Sequence, residues 1–99
     1  MRIAVAGAGI SGLALCHALQ EKLTEAGKAA EIILLEAEGR AGGKIRTHRE
    51  RGYVMEWGPN GFLNNKPDTL ELCRKLGIEE KLLPSNDAAR KRYIYAGGK

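Results

Sequence analysis

Reactive side chains are scarce in this sequence. Its 99 residues include two cysteines, two histidines and one tryptophan, and aromatic residues make up 5% of the total. Cys16 and Cys73 stand alone, without a CxxC pair or the spacing of metal ligands, so neither a metal centre nor a disulfide scaffold is expected. Both fall on predicted helices, where a lone cysteine acts as a small buried hydrophobe. Such usage fits a reducing, cytoplasmic setting. His17 lies in the first predicted helix and His48 in a predicted hairpin; neither has a carboxylate at the spacing of a catalytic motif, and both read as structure or surface. Long apolar runs are missing too. No stretch nears the ~18 residues of a membrane span, and no charged-then-apolar leader of a secretory signal precedes the first strand. Charge of one sign is not concentrated either, since 16 basic and 12 acidic residues leave a net +4. The densest basic groups, 46–51 and 89–93, have acids close by and read as solvated surface, with no nucleic-acid partner expected.

Glycine, by contrast, is plentiful, with 13 residues, and the most patterned stretch is AVAGAGISGLA at 4–14. Around it, RIAVA (2–6) is an apolar run that stops at glycine, as a buried parallel strand does. A helix is predicted over 11–26, with Ile10, Leu13, Ala14, Leu19 and Leu23 on one buried face and Gly27 as a left-handed cap. EIILLE (31–36) is a second strand. Strand, helix, strand is the minimal βαβ unit, so the fold class is α/β. Beyond it come a glycine-rich loop (37–44), a hairpin turning at Arg51-Gly52, and a turn at 58–62. A helix is predicted over 66–77, with Leu70, Cys73 and Leu76 or Gly77 on one face. One more helical turn stops at Pro84, and a strand begins in RYIYAGGK (92–99), with AGGK as the tip of a hairpin.

Gly7-Ala8-Gly9-Ile10-Ser11-Gly12 reads G-x-G-x-x-G, and its place between a strand and a helix is what makes the pattern informative. Gly7 permits a tight turn, Gly9 lets the backbone approach a diphosphate, and Gly12 lets helix and strand pack closely. The free N–H groups and positive dipole end of the helix meet the phosphate charge. Side chains are sparse there because they would obstruct the ligand. Glu36 follows Gly12 by 24 residues and ends the second strand. The dinucleotide fingerprint places an acid about 20 residues on, to accept hydrogen bonds from ribose hydroxyls. An acid there repels a 2′-phosphate, which disfavours NADP relative to NAD or FAD.

The next segment separates those two. EAEGRAGGKIRT (36–47) resembles the second signature of the amine-oxidase-like flavoprotein superfamily: acid, three residues, Arg, one residue, Gly-Gly, then Lys or Arg. Simple NAD dehydrogenases lack it, so the resemblance implies FAD. Gly42 and Gly43 would let the chain pass tightly along the pyrophosphate and flavin. Arg40 brings a permanent charge and a planar fork for phosphate or carbonyl oxygens. Lys44 would face either the flavin side or solvent.

Residues 42–63 together with 66–99 resemble the N-terminal part of the protoporphyrinogen oxidase family, its bacterial members especially; EWGPNGFL, LELCRKLGI and NDAARKRYIY are the discriminating stretches. The resemblance covers essentially the whole chain. It implies a flavoenzyme of haem biosynthesis that oxidises a porphyrinogen, protoporphyrinogen or coproporphyrinogen, with dioxygen as acceptor and hydrogen peroxide as by-product. It further implies that Gly7, Ala8, Gly9, Ser11 and Gly12 surround the diphosphate and that Glu36 binds the ribose. Arg40 and Gly43 would line the diphosphate and flavin side, and Gly58, Pro59, Asn60 and Gly61 would lie against the isoalloxazine. No catalytic side chain is implied, and Trp57 reads either as a core tryptophan or as a ring packed beside the flavin. Family members are several times longer, so residues 1–99 are expected to be a partial FAD/NAD(P)-binding Rossmann domain, without the substrate domain and the C-terminal FAD segment. Such a piece is expected to be inactive alone, to expose a sheet edge through which it can self-associate, and to meet porphyrinogen only within the full-length protein. That protein is expected in the cytoplasm, with peripheral attachment to the inner membrane left open. Two other readings stand beside this one: another FAD-dependent amine oxidase or carotenoid desaturase, and a non-catalytic nucleotide-binding module.

Overall fold

Two short apolar strands start the chain's only parallel sheet. β1 (Arg2–Ala6) and β2 (Glu31–Leu35) pair in parallel, with Ala4 opposite Ile33 and Ala6 opposite Leu35. At one end Glu31 N–H donates to the Met1 carbonyl at 3.0 Å, and Arg2 Nε meets Glu31 Oε2 at 2.6 Å. At the other end Gly7 N–H donates to the Leu35 carbonyl at 2.7 Å, which carries the pairing into the glycine turn. The computed structural model describes residues 1–99 in two units, Met1–Phe62 and Leu63–Lys99.

In the first unit the crossover helix α1 (Ile10–Glu25) begins one residue earlier than the pattern predicts, with Gly9 as its N-cap. It ends as expected at Gly27: the Gly27 and Lys28 amides donate to Thr24 and Leu23 carbonyls at 3.1 and 2.9 Å, a Schellman closure. The expected buried face is only half realised. Ala14, Leu19, Leu23 and Cys16 are half-buried, Leu13 is exposed and Ile10 is 56% exposed. Two strands make too narrow a platform for a helix that ordinarily covers a wider sheet, and the unit's buried residues are Val5 and Ala8.

A hairpin follows: β3 (Thr47–Glu50) pairs antiparallel with β4 (Tyr53–Glu56). Its two-residue turn has φ of 51° at Arg51 and 83° at Gly52, the type I′ geometry that matches strand twist. Arginine is a poor occupant of the first position and asparagine a good one. Arg51→Asn is therefore expected to stabilise the hairpin by about 0.5 kcal/mol, read as slower exchange of the Tyr53 amide. Both faces of the hairpin are exposed, and the expectation of a core Trp57 fails. Its ring is 68% exposed and carries the Arg46 guanidinium 5.1 Å from its centroid. No second layer covers the hairpin within this unit, so the indole finds a cation in place of a core.

In the second unit, α2 (Pro67–Lys75) starts on Pro67, whose missing N–H costs nothing at the first helical position. Cys73 is buried as expected and Leu70 is half-buried, but Leu72 and not Leu76 completes the inward set. Arg74 donates to both oxygens of Glu79, at 3.1 and 2.9 Å, which ties α2 to a 3₁₀ turn at Glu79–Lys81. That pair holds the Glu79 carboxyl below its ordinary pKa. A second 3₁₀ turn at Asp87–Ala89, not anticipated, is capped by Asn86 Oδ1, which accepts from the Ala88 amide at 2.9 Å. Residues 92–96 form no strand, because no other strand pairs with them. The hairpin tip forms nonetheless: Ala96 and Lys99 exchange two backbone bonds, at 3.1 and 3.2 Å, across Gly97-Gly98. No helix is long and apolar enough to cross a membrane.

Candidate functional site

The site grows out of the turn between β1 and α1. Gly7 has φ 95°, which swings the chain from strand to helix within three residues. A Cβ on Gly12 would overlap the Gly7 carbonyl, so the first turn of α1 sits directly on the exit of β1 only because residue 12 has no side chain. At Gly9 the opposite holds: nothing lies within 4 Å of where a Cβ would stand. The first intrahelical bond runs from Leu13 N–H to the Gly9 carbonyl at 3.0 Å. The amides of Ile10, Ser11 and Gly12, one turn earlier, have no intrahelical acceptor.

Ala8 lies behind this turn and is 2% exposed. Its N–H donates to Glu36 Oε2 at 2.6 Å, and its carbonyl accepts from Gly42 N–H at 2.7 Å. The other oxygen of Glu36 accepts from Glu38 N–H at 3.1 Å. The end of β2 and the glycine loop just after it therefore both meet one alanine at least 28 residues upstream. The bonds from the Glu38 and Ala8 amides hold the Glu36 carboxyl below its ordinary pKa, with the Arg40 charge adding to them. A group depressed in this way stabilises the fold fully above the ordinary carboxylate range, and its contribution is lost as pH falls through the folded value.

The second glycine pair completes the junction. Gly42 (φ 112°) and Gly43 (φ 56°) bend the loop back, and Gly43 comes so near the first turn that its Cβ would stand 3.1 Å from Gly9 Cα. Arg40 stays within its own loop: Nη1 donates to the Ala41 carbonyl at 3.0 Å and Nη2 to the Gly43 carbonyl at 2.7 Å. Lys44 is exposed, and its carbonyl occupies the place a Gly58 Cβ would need. Gly9, Gly43, Lys44 and Gly58 thus follow one another as backbone in close approach. Pro59, Asn60 and Gly61 continue from Gly58 as exposed backbone without regular structure, and Gly61 has open space around it.

This arrangement suits a diphosphate joined to a sugar. Free helix N-terminal amides and the positive end of the α1 dipole would attract an anion, the bare Gly9 would leave room for it, and Glu36 would supply acceptors for hydroxyls. The residues fit such a group on geometry alone. Two open concavities lie elsewhere. One lies along α1 beside His17, which stands 3.8 Å from Glu21, and the other is a groove bordered by Cys16, Leu23 and Thr24 of α1 and Ile32 and Leu34 of β2. His48 stands beside Glu50, at 3.3 Å, on the exposed hairpin. The sequence pattern missed the Ala8 junction, because hydrogen bonds spanning 28 residues and more leave no local periodicity.

The family model described as flavin containing amine oxidoreductase matches residues 10–99. The chain is 36% identical over 92 residues to the coproporphyrinogen III oxidase of Bacillus subtilis (strain 168), covering 93% of this chain and 19% of that protein. It is 32% identical over 97 residues to the coproporphyrinogen III oxidase of Staphylococcus aureus (strain NCTC 8325 / PS 47), covering 98% and 20%. It is 35% identical over 98 residues to protoporphyrinogen oxidase 2, chloroplastic/mitochondrial, of Arabidopsis thaliana, covering 98% and 18%. The chain spans about a fifth of the length of these relatives.

Proposed function

Since the chain belongs to the flavin containing amine oxidoreductase family, which implies a flavin cofactor, we propose that it is the nucleotide-gripping part of an FAD-dependent porphyrinogen oxidase. The observation that carries this reading is the Ala8 junction, where the first glycine turn, Glu36 and the second glycine loop are bonded into one backbone cradle. A flavin with an adenine dinucleotide tail has the diphosphate and the ribose that such a cradle complements, whereas a flavin mononucleotide lacks the second half. In this reading the amides of Ile10, Ser11 and Gly12 bind the diphosphate, together with the bare backbone at Gly7 and Gly9. Glu36 accepts from the ribose hydroxyls, and Ala8 holds the turn from behind. Arg40, Gly42 and Gly43 shape the loop beside it, Lys44 stands at its rim, and Gly58, Pro59, Asn60 and Gly61 form the edge nearest the isoalloxazine.

When bound, the flavin supplies a hydride acceptor whose electrons pass to dioxygen, giving hydrogen peroxide. The protein's own share is to bind, orient and keep side chains out of the way. The substrate is a porphyrinogen, protoporphyrinogen or coproporphyrinogen, by similarity to relatives that carry those names. Residues 1–99 act as part of a Rossmann domain that the rest of a longer protein completes, covering the groove between α1 and β2. Alone, the chain turns nothing over and self-associates through the open edge of the β1–β2 sheet. The complete protein works in the cytoplasm or against the membrane that bounds it.

The chain joined to a polypeptide supplying the remaining four-fifths should purify yellow, release FAD on denaturation and turn colourless porphyrinogen into fluorescent porphyrin. Release of FAD with oxidation of an amine and no porphyrin would move the activity elsewhere in the family. A protein that takes up NAD and no flavin would overturn the proposal.

A further inference from the structure

We infer that Glu36 is a positioning residue for the diphosphate cradle, a latch that joins the two glycine loops before any nucleotide arrives. The inference rests on the flavin reading above and adds a second duty to a residue whose first is the sugar. Glu36 Oε2 takes the N–H of Ala8 at 2.6 Å, and the carbonyl of the same alanine takes Gly42 N–H at 2.7 Å. The carboxylate thus fixes Ala8, and Ala8 fixes the loop that brings Gly43 against Gly9. Ala8 is 2% exposed, so without the carboxylate its amide has little water to turn to, and the turn must rearrange to satisfy it.

Counting acceptor sites shows that both duties fit one side chain. An ionised carboxylate has about four lone-pair sites on two oxygens. Ala8 occupies one on Oε2 and Glu38 one on Oε1, with the Ala37 amide also bonding the carboxylate, which leaves a site for a sugar hydroxyl. The latch also decides which donors serve the phosphate. The Ala8 amide is already used, so the anion is left to the amides at the start of α1.

Simple electrostatics and the latch predict opposite results for Glu36→Met, which removes the charge and both acceptor oxygens at nearly the same side-chain length. A carboxylate beside an anion site repels the anion, so removing its charge should tighten binding of inorganic pyrophosphate, a probe with no sugar. Loss of the latch should instead weaken it, because the donors are no longer held in place. The experiment combines pyrophosphate titration with backbone amide exchange on the nucleotide-free chain, for wild type, Glu36→Met and Glu36→Asp, whose side chain is one methylene too short to reach. The latch predicts exchange at Ala8 and Gly42 about tenfold faster in both variants, an unchanged Lys28 amide at the far end of α1, and pyrophosphate binding about threefold weaker. Unchanged exchange at Ala8 and Gly42, or tighter pyrophosphate binding by Glu36→Met, would overturn it. Should either variant fail to fold, a pH titration of the wild type decides. The Ala8 and Glu38 amide resonances must move together with a single midpoint, and separate midpoints refute the latch. A chain that shows the latch but takes no flavin refutes the proposed function alone; one that takes flavin with Ala8 unprotected refutes the latch alone.

Discussion

Gly12→Ala is expected to destabilise the unit Met1–Phe62 by about 3 kcal/mol, near the upper end of overpacking costs. A methyl group there would overlap the Gly7 carbonyl, with Val5 Cγ1 3.7 Å away on the other side. Neither neighbour yields cheaply, since one is backbone and the other belongs to one of the unit's two buried residues. The helix must lift off the strand, taking its N-terminal amides with it. Chemical denaturation followed by circular dichroism measures the loss, and flavin retention should fall with it. A variant within about 0.5 kcal/mol of wild type would mean that helix and strand do not meet as described.

Gly9→Ala should behave in the contrasting way. Open space surrounds the position, and φ is −77°, which alanine adopts without strain. Alanine is a poorer N-cap than glycine, so a stability loss of up to about 1 kcal/mol is expected. If the diphosphate occupies that space, the methyl group displaces it, and FAD affinity should drop about a hundredfold, equivalent to about 2.7 kcal/mol. Calorimetry or fluorescence quenching reads the affinity and denaturation reads the stability. Equal affinity in the two proteins would place the phosphate elsewhere. The pair of substitutions separates a glycine needed by the fold from a glycine needed by the ligand, although both belong to one motif.

Legibility in the sequence followed the range of the forces involved. β1, α1, β2 and the turn at Arg51-Gly52 are set by local patterns, apolar runs bounded by glycine or by acids, and they form where those patterns place them. The strand expected at 92–96 fails for a non-local reason, because a strand needs a partner and the chain offers none there. Trp57 is misread for the same reason: an indole looks like core until the layer that would cover it is sought. At the candidate site the glycine spacing located the turn and Glu36, but the direction of the Glu36 carboxylate toward Ala8 and the return of Arg40 onto Ala41 and Gly43 depend on dihedral angles that no residue type dictates.

The central claim is that bare backbone at the first turn grips a diphosphate, with one carboxylate holding the neighbouring sugar. Titrating the ¹⁵N-labelled chain with ADP, the half of FAD that the cradle should hold, tests it most directly. The account predicts the largest amide shifts at Gly9, Ile10, Ser11 and Gly12, with smaller ones at Ala8 and Glu38, and no comparable response to riboflavin. Shifts centred on Cys16, Leu23 and Ile32 in the groove between α1 and β2, with the glycine turn silent, would contradict it.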